Sequence, residues 1–178
     1  MKSAICSSLR KLVVVSGFWL MTSAQAESVD LFTLQFDDLH GQAQSMANYK
    51  GKPVVVNFWA TWCPPCVAEL PELQKISEEY KDKEVEVIGV LHDGIIELGI
   101  LDESIIDNAN TLMQDKGVNY RVILPDEYLQ TEFIDSMQYF PTTFFLDSEG
   151  NLVETVVGAN NFESWGKLID ETLEKLEN

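Results

Sequence analysis

The segment from residue 54 to residue 80 constrains the fold more than any other part of the chain. Val54–Trp59 is almost continuously apolar, which is typical of a strand buried on both faces of a sheet. After three further residues comes Cys63-Pro64-Pro65-Cys66, and apolar side chains then recur at helical spacing to about residue 80. A buried strand that runs into a helix predicts an α/β sheet with two cysteines at the junction.

The rest of the pattern predicts a central mixed sheet with helices on both faces, in one domain over residues 27–178. We expect strands over residues 31–36, 85–90, 120–124, 142–146 and 152–157, and helices over residues 64–80, 103–116, 127–135 and 162–176. The apolar run over residues 95–101 is interpreted as a short packed helix, with an apolar rim for a partner as the alternative.

Residues 1–26 have the pattern of a secretory signal peptide. Three basic residues precede an apolar run over residues 12–20, and the segment ends in Ala24-Gln25-Ala26, which suits signal peptidase. The run is about half of the ~20 residues needed to span a bilayer. We expect cleavage after Ala26 and a periplasmic or secreted protein, with an uncleaved N-terminal membrane anchor as the alternative.

Charge and cysteine content limit the possible functions. The chain has 29 acidic and 12 basic side chains and a net charge of −17, which excludes nucleic acid as an expected partner because phosphates would be repelled. Beyond Cys6, in the predicted signal, only Cys63 and Cys66 remain, and the two histidines are His40 and His92. These few soft ligands predict no metal site.

The spacing of Cys63 and Cys66 favours thiol–disulfide exchange. Cys63 is expected at the N-cap of the helix, where free N–H groups and the helix dipole stabilise a thiolate, and Pro64 suits the first helical position. Cys66 follows one turn later, within reach of a disulfide. We therefore expect an exposed attacking sulfur on Cys63 and a shielded resolving sulfur on Cys66. A structural disulfide would close too small a loop to restrain the chain, and a zinc site would lack its second ligand pair.

Three segments together resemble the thioredoxin superfamily, and most closely its extracytoplasmic TlpA/ResA/CcmG-like branch. They are residues 51–66, Glu69-Leu70-Pro71, and residues 140–147 with Gly150. The resemblance covers residues 30–176 and implies a thioredoxin-like fold with an N-terminal β-hairpin and an inserted βα unit. The activity it implies is reduction of protein disulfides by the Cys63-Cys66 dithiol, with no cofactor besides this redox-active disulfide.

The resemblance also assigns a substrate groove. Pro141 matches the family's cis-proline, which faces the two cysteines, and the backbone of Phe140 would pair with an extended substrate segment. Phe140 is bulkier than the small or β-branched residue usual in the family. Trp62, Pro64 and Pro65 would complete the substrate-binding residues.

Three further residues are expected behind the cysteine pair. In TlpA/ResA-like proteins the glutamate at the position of Glu69 lies near the resolving cysteine, modulates its pKa and relays protons; the alternative is an ordinary solvated helix glutamate. Asn57 stands where cytoplasmic thioredoxin has a buried acid, and we expect it and Trp59 to support the site structurally. His92 follows a strand that ends at the same edge as Cys63, but we interpret it as a surface-loop histidine.

The expected partners are protein thiols and disulfides, with a membrane-spanning thiol carrier of the CcdA/DsbD type as the electron donor. Both are implied by the resemblance, as is apocytochrome c as one substrate, and we expect a monomer. Two alternatives share the core fold. A peroxidase of the peroxiredoxin or glutathione-peroxidase type needs a threonine and an arginine around its cysteine, and Arg121 is the only arginine after residue 26. A Sco-like copper-delivery protein needs a histidine downstream of the cysteines, and none follows His92.

Overall fold

The computed structural model describes residues 31–96 and 100–176. The predicted signal peptide and the start of the domain lie outside the described residues and stay predictions. The strands are β1 (Gln35–Asp37), β2 (Ala43–Ser45), β3 (Val54–Trp59), β4 (Glu86–Leu91), β5 (Ile95–Ile96), β6 (Ile100–Leu101), β7 (Arg121–Ile123), β8 (Thr142–Leu146) and β9 (Leu152–Val157). The helices are α1 (Pro64–Glu79), α2 (Glu103–Asp115), α3 (Glu127–Glu132) and α4 (Phe162–Leu176).

The central sheet is mixed, as the sequence predicts. Its five strands lie in the order β7-β4-β3-β8-β9. β3 runs parallel to β4, with Trp59 opposite Leu91, and antiparallel to β8, with Phe58 opposite Thr142. The last residues of β3 and β4 and the first residue of β8 therefore lie at one edge of the sheet. The segments that follow β3 and β4 and the one that precedes β8 meet there.

The core has two apolar clusters, one on each face of the sheet, because successive side chains of a strand point to opposite faces. One cluster joins α1, α2 and α4 to Val55, Trp59 and Leu91. The other joins the β1–β2 hairpin and α3 to Val56, Phe58 and further strand residues. Helices on both faces and the N-terminal β-hairpin are confirmed. Among the described residues, no helix combines the length and the apolar character that crossing a bilayer requires.

Three local predictions are wrong. Residues 31–33 form a 3-10 turn, so the first strand begins only at Gln35. The helix predicted over residues 127–135 ends at Glu132, and a separate 3-10 turn, Ile134–Ser136, follows it. The run over residues 95–101 contains the antiparallel pair β5 and β6 instead of a packed helix. Its β-branched isoleucines favour extended backbone, and seven residues are too few for a stable helix nucleus.

Gly89 in the central strand β4 provides a test of the sheet packing. A Cβ atom added there would lie 2.9 Å from Cγ2 of Val122 and 3.1 Å from Nε1 of Trp59. We expect Gly89→Ala to lower the free energy of unfolding by about 1–3 kcal/mol, because a packed core must shift to accept it. Urea denaturation measures the loss.

Gly166 in α4 is the matched control for this substitution. A Cβ atom there would approach only Oη of Tyr80, at 3.3 Å, and alanine is favoured over glycine inside a helix by about 1 kcal/mol. We expect Gly166→Ala to leave stability unchanged or slightly raised. Equal losses in the two variants would contradict the assignment of the Gly89 effect to crowding.

Candidate active site

The two cysteines form a disulfide at the N-terminus of α1. Cys63 is the N-cap residue, with φ −97° and ψ 101°, and Pro64 is the first helical residue. The Cys63–Cys66 bond joins Cα atoms 5.3 Å apart, and the backbone N–H of Cys66 donates to Sγ of Cys63 at 3.3 Å. This N–H has no partner within the helix. Once the disulfide is reduced, its hydrogen bond and the positive end of the helix dipole both favour a thiolate on Cys63.

Both sulfur-bearing residues are buried in this oxidised form. Cys63 is 3% exposed and Cys66 is 1% exposed. The prediction of an exposed sulfur concerns the reduced, attacking form of Cys63, and it stays a prediction for that form. Pro64 and Pro65 are exposed, and Trp62 is exposed by 61% of its surface. Access to the disulfide thus passes over these three residues.

Phe140 and Pro141 approach the cysteine pair from the start of β8. The Phe140–Pro141 peptide bond is cis, as the resemblance implies. The Phe140 ring meets the Trp62 ring edge to face, with centroids 6.1 Å apart. The predicted substrate residues of the two segments are therefore brought together beside Cys63.

Glu69 is buried, so its interpretation as a solvated helix residue is excluded. It is 1% exposed, and its Oε1 accepts hydrogen bonds from the backbone N–H of Asn160 at 2.7 Å and from Nε1 of Trp165 at 2.9 Å. Its Oε2 accepts from Nδ2 of Asn57 at 3.3 Å. Burial raises the pKa of Glu69 to about 7, because desolvation of the carboxylate outweighs these three hydrogen bonds.

Asn57 and Trp59 lie behind the site on β3. The Asn57 side chain is buried, and its Nδ2 also donates to Oγ1 of Thr143 at 2.9 Å, so the amide joins β8 to the Glu69 carboxylate. Trp59 is fully buried in the cluster that contains both cysteines. Both side chains therefore lie buried behind the site, and their supporting roles stay predictions.

Four residues of the site were missed or misread from the sequence. His92 is not a free surface-loop residue: its ring stacks on Phe140, with centroids 4.9 Å apart and planes at 13°. The neighbouring Asp93 accepts hydrogen bonds from the backbone N–H of Thr61 at 3.1 Å and from Oγ1 of Thr61 at 2.6 Å. For His92 and Asp93, the one available signal in the sequence was that the segments after β3 and β4 leave the same edge of the sheet. No sequence pattern indicated that Asn160 and Trp165 would donate hydrogen bonds to Glu69.

Dithiol exchange is the chemistry that this arrangement allows. It combines a thiolate-stabilising helix N-terminus, a second cysteine one turn later and a buried carboxyl group that can change protonation near neutral pH. Over residues 31–96 and 100–176, no cluster of three or more His, Cys, Asp or Glu side chains is arranged to hold a metal ion.

Comparisons with known proteins agree with this chemistry. The sequence model of the Redoxin family matches residues 24–169. The thiol-disulfide oxidoreductase ResA of Bacillus subtilis is 32% identical over 133 residues, which cover 75% of this chain and 68% of that protein. An uncharacterised protein of Haemophilus influenzae is 37% identical over 153 residues, which cover 82% of this chain and 88% of that protein.

A solved structure extends the agreement to the fold. The thiol:disulfide interchange protein of the thioredoxin family from Chlorobium tepidum matches with a TM-score of 0.66 and 25% identity, over 84% of this chain and 99% of that one. A Cys63–Cys66 disulfide and relatives named for thiol–disulfide exchange favour this activity over the peroxidase and copper-delivery alternatives. The chain therefore belongs to the Redoxin family and is a ResA/CcmG-like thiol–disulfide oxidoreductase of the thioredoxin superfamily.

Proposed function

We propose that the protein is an extracytoplasmic reductase of protein disulfides. The observation that carries the direction of the reaction is the buried carboxyl group of Glu69, three residues after Cys66 on the same inward face of α1. Side chains at this spacing have Cβ atoms about 5–6 Å apart. An anion on a side chain next to Cys66 would oppose thiolate formation there, and a dithiol whose thiolate form is not strongly stabilised is a better reductant.

In the proposed reaction the reduced protein supplies two electrons. The Cys63 thiolate attacks one sulfur of the substrate disulfide, that S–S bond breaks, and the leaving substrate thiolate takes up a proton. The Cys66 thiol then gives its proton to Glu69 and attacks the Cys63 sulfur. The second substrate thiolate leaves and is protonated, so the substrate gains two electrons and two protons while the Cys63–Cys66 disulfide forms.

The pKa of Glu69 suits it to this proton transfer. A group with a pKa of about 7 has both protonation states populated at neutral pH, so it can accept the Cys66 proton and release it again. The hydrogen bonds from Asn57, Asn160 and Trp165 hold the carboxylate in place. In this proposal Glu69 is catalytic, and Asn57 is a positioning residue.

The oxidised protein must be reduced again for each turnover. We assign this step to a membrane-spanning dithiol carrier of the CcdA/DsbD type, whose two electrons would return to the Cys63–Cys66 disulfide by the reverse exchange. The signal-peptide pattern of residues 1–26 supports a location outside the cytoplasm. Both cysteines lie in one chain, so a monomer suffices for the reaction.

The reduction potential tests the proposed direction. Equilibration with glutathione redox buffers at pH 7 is expected to give a value close to that of thioredoxin, about −270 mV. The physical reason is the negative charge of Glu69, which makes the thiolate form of the dithiol less stable. DsbA is a strong oxidant, at about −120 mV, because its reduced form is stabilised. A potential close to the DsbA value would contradict the assignment as a reductase.

A further inference from the structure

Three aromatic rings form a continuous wall beside the disulfide. Phe140 lies in the middle, stacked on His92 with centroids 4.9 Å apart and in edge-to-face contact with Trp62 at 6.1 Å. Aromatic pairs in these two geometries are favourable beyond the area that they bury. The residue just before the cis-proline thus has its side chain fixed by contacts on both sides.

The carboxylate of Asp93 links the two segments that carry the outer rings of this wall, His92 and Trp62. Asp93 follows His92, Thr61 precedes Trp62, and the Asp93 carboxylate accepts from both the backbone N–H and the hydroxyl of Thr61. The turn that carries His92 and the loop that carries Trp62 are therefore joined independently of Phe140. The wall is held by its own framework, so the rings need no substrate to assemble.

The wall presents apolar surface. Burial lowers the pKa of His92, with Asp93 and Asp135 acting in the opposite direction, so its ring is uncharged at neutral pH. Trp62 and Tyr139, the neighbour of Phe140, are two of the described chain's large exposed hydrophobic residues, at 61% and 64% exposure. Exposed apolar surface concentrated at one place marks a site of interaction.

The position of the wall determines which part of the substrate contacts it. During exchange the substrate is covalently attached to Cys63, the residue next to Trp62. The side chains that flank the substrate cysteine must therefore pass close to the wall. Because aromatic rings gain most from flat apolar partners, the wall discriminates by the side chains beside that cysteine.

We propose that Phe140, held between Trp62 and His92, is a specificity-determining residue that selects protein disulfides whose cysteine is flanked by aromatic side chains. This inference rests on the proposed reduction of protein disulfides and names the substrate class of that same site. The bulk of Phe140 then has a function in recognition.

Two symmetric disulfide-linked peptides provide the test. One has cysteine between two phenylalanines and the other has cysteine between two glycines, each with a terminal lysine on both sides. The reduced protein is mixed with an excess of each peptide, so that each molecule reacts once, and the second-order rate constant of this single turnover is divided by that of dithiothreitol with the same peptide to remove intrinsic reactivity. We expect about a tenfold preference for the phenylalanine peptide, expressed mainly in the peptide concentration that gives half the maximal rate.

The variant Phe140→Thr is expected to reduce this preference to less than about twofold, because the phenylalanine peptide slows more than the glycine peptide, and Phe140→Tyr is expected to retain it. His92→Ala is expected to reduce the preference partly. Trp62→Ala should do the same without endangering the fold, because Trp62 is largely exposed. Leu152→Thr is the matched control: Leu152 is also exposed but pairs with Leu146, at the end of β8 far from Pro141.

Three results would overturn the inference. They are no preference in the unaltered protein, a preference that survives in Phe140→Thr, and an equal loss in Leu152→Thr. Failure of the proposed function gives a different result. The unaltered protein would then reduce neither peptide, although its dithiol still reacts with a small disulfide such as 2-hydroxyethyl disulfide, and the inference would fail with it.

Discussion

Replacing Cys66 with serine is expected to turn the protein into a covalent trap for its substrates. Cys63 retains its place at the helix N-terminus and still attacks, but no second thiol remains to break the mixed disulfide. Turnover should fall by a factor on the order of 10³ or more, as when one member of a catalytic unit is removed. Non-reducing electrophoresis of the reduced variant with a disulfide peptide, followed by mass spectrometry, measures the adduct.

Cys63→Ser is the control for this experiment. The remaining Cys66 is 1% exposed and is the third residue of α1, so it is hard for a substrate to reach and lies farther than Cys63 from the positive end of the helix dipole. We expect Cys63→Ser to form no adduct and to lose activity to a similar extent. Adducts on Cys63→Ser, with none on Cys66→Ser, would reverse the assignment of attacking and resolving cysteines.

Replacing Glu69 with glutamine is expected to raise stability at alkaline pH. Burial raises the pKa of Glu69 from 4.5 to about 7, so between these values the native state retains a proton that the unfolded chain has lost. The free energy of unfolding contributed by this group is therefore highest below pH 4.5 and falls as the pH rises to about 7. This rise in pKa corresponds to a loss of about 3 kcal/mol in the free energy of unfolding between low and high pH. Glutamine does not titrate, so the variant does not lose this stability.

Glutamine fits the site with little rearrangement. Its oxygen can accept from Asn160 and Trp165, both of which donate to the same carboxylate oxygen in the unaltered protein. Its amide group would face Asn57, whose own amide can rotate so that its oxygen accepts from glutamine and from Thr143. Urea denaturation of the oxidised protein at pH 5 and pH 8 should show a smaller pH dependence in Glu69→Gln than in the unaltered protein.

The same substitution should change the reactivity of the reduced protein. With no anion beside Cys66, the pKa of its thiol is expected to fall by about one unit, which corresponds to about 1.4 kcal/mol, while Cys63 responds less. A pH titration of thiol alkylation measures both. Glu79→Gln is the matched control, since Glu79 is exposed at the end of the same helix. Titration curves and stability profiles that coincide for all three proteins would exclude Glu69 from proton transfer.

Local patterns in the sequence predicted most of the secondary structure and the cysteine chemistry. The apolar run of β3, the helical spacing of α1 and the two cysteines at their junction are all encoded within 26 consecutive residues, Val54 to Glu79. Periodicity of this kind reports which face of an element is buried, and it is independent of distant residues. The short segment at residues 95–101 was misread because a brief apolar run fits a helix and a strand equally well.

Only the tertiary structure decided the environment of Glu69 and the composition of the aromatic wall. Spacing placed Glu69 on the face of Cys66, but its burial depends on partners 91 and 96 residues away, Asn160 and Trp165. Likewise, His92 and Phe140 become neighbours because β4 and β8 flank β3 on opposite sides, with their site-facing ends at one edge of the sheet. The sequence by itself determined which atoms exchange electrons, since that chemistry resides in two nearby cysteines. The fold decided the surroundings of the proposed proton acceptor and of the aromatic wall, because solvation and ring contacts depend on residues that only chain folding brings together.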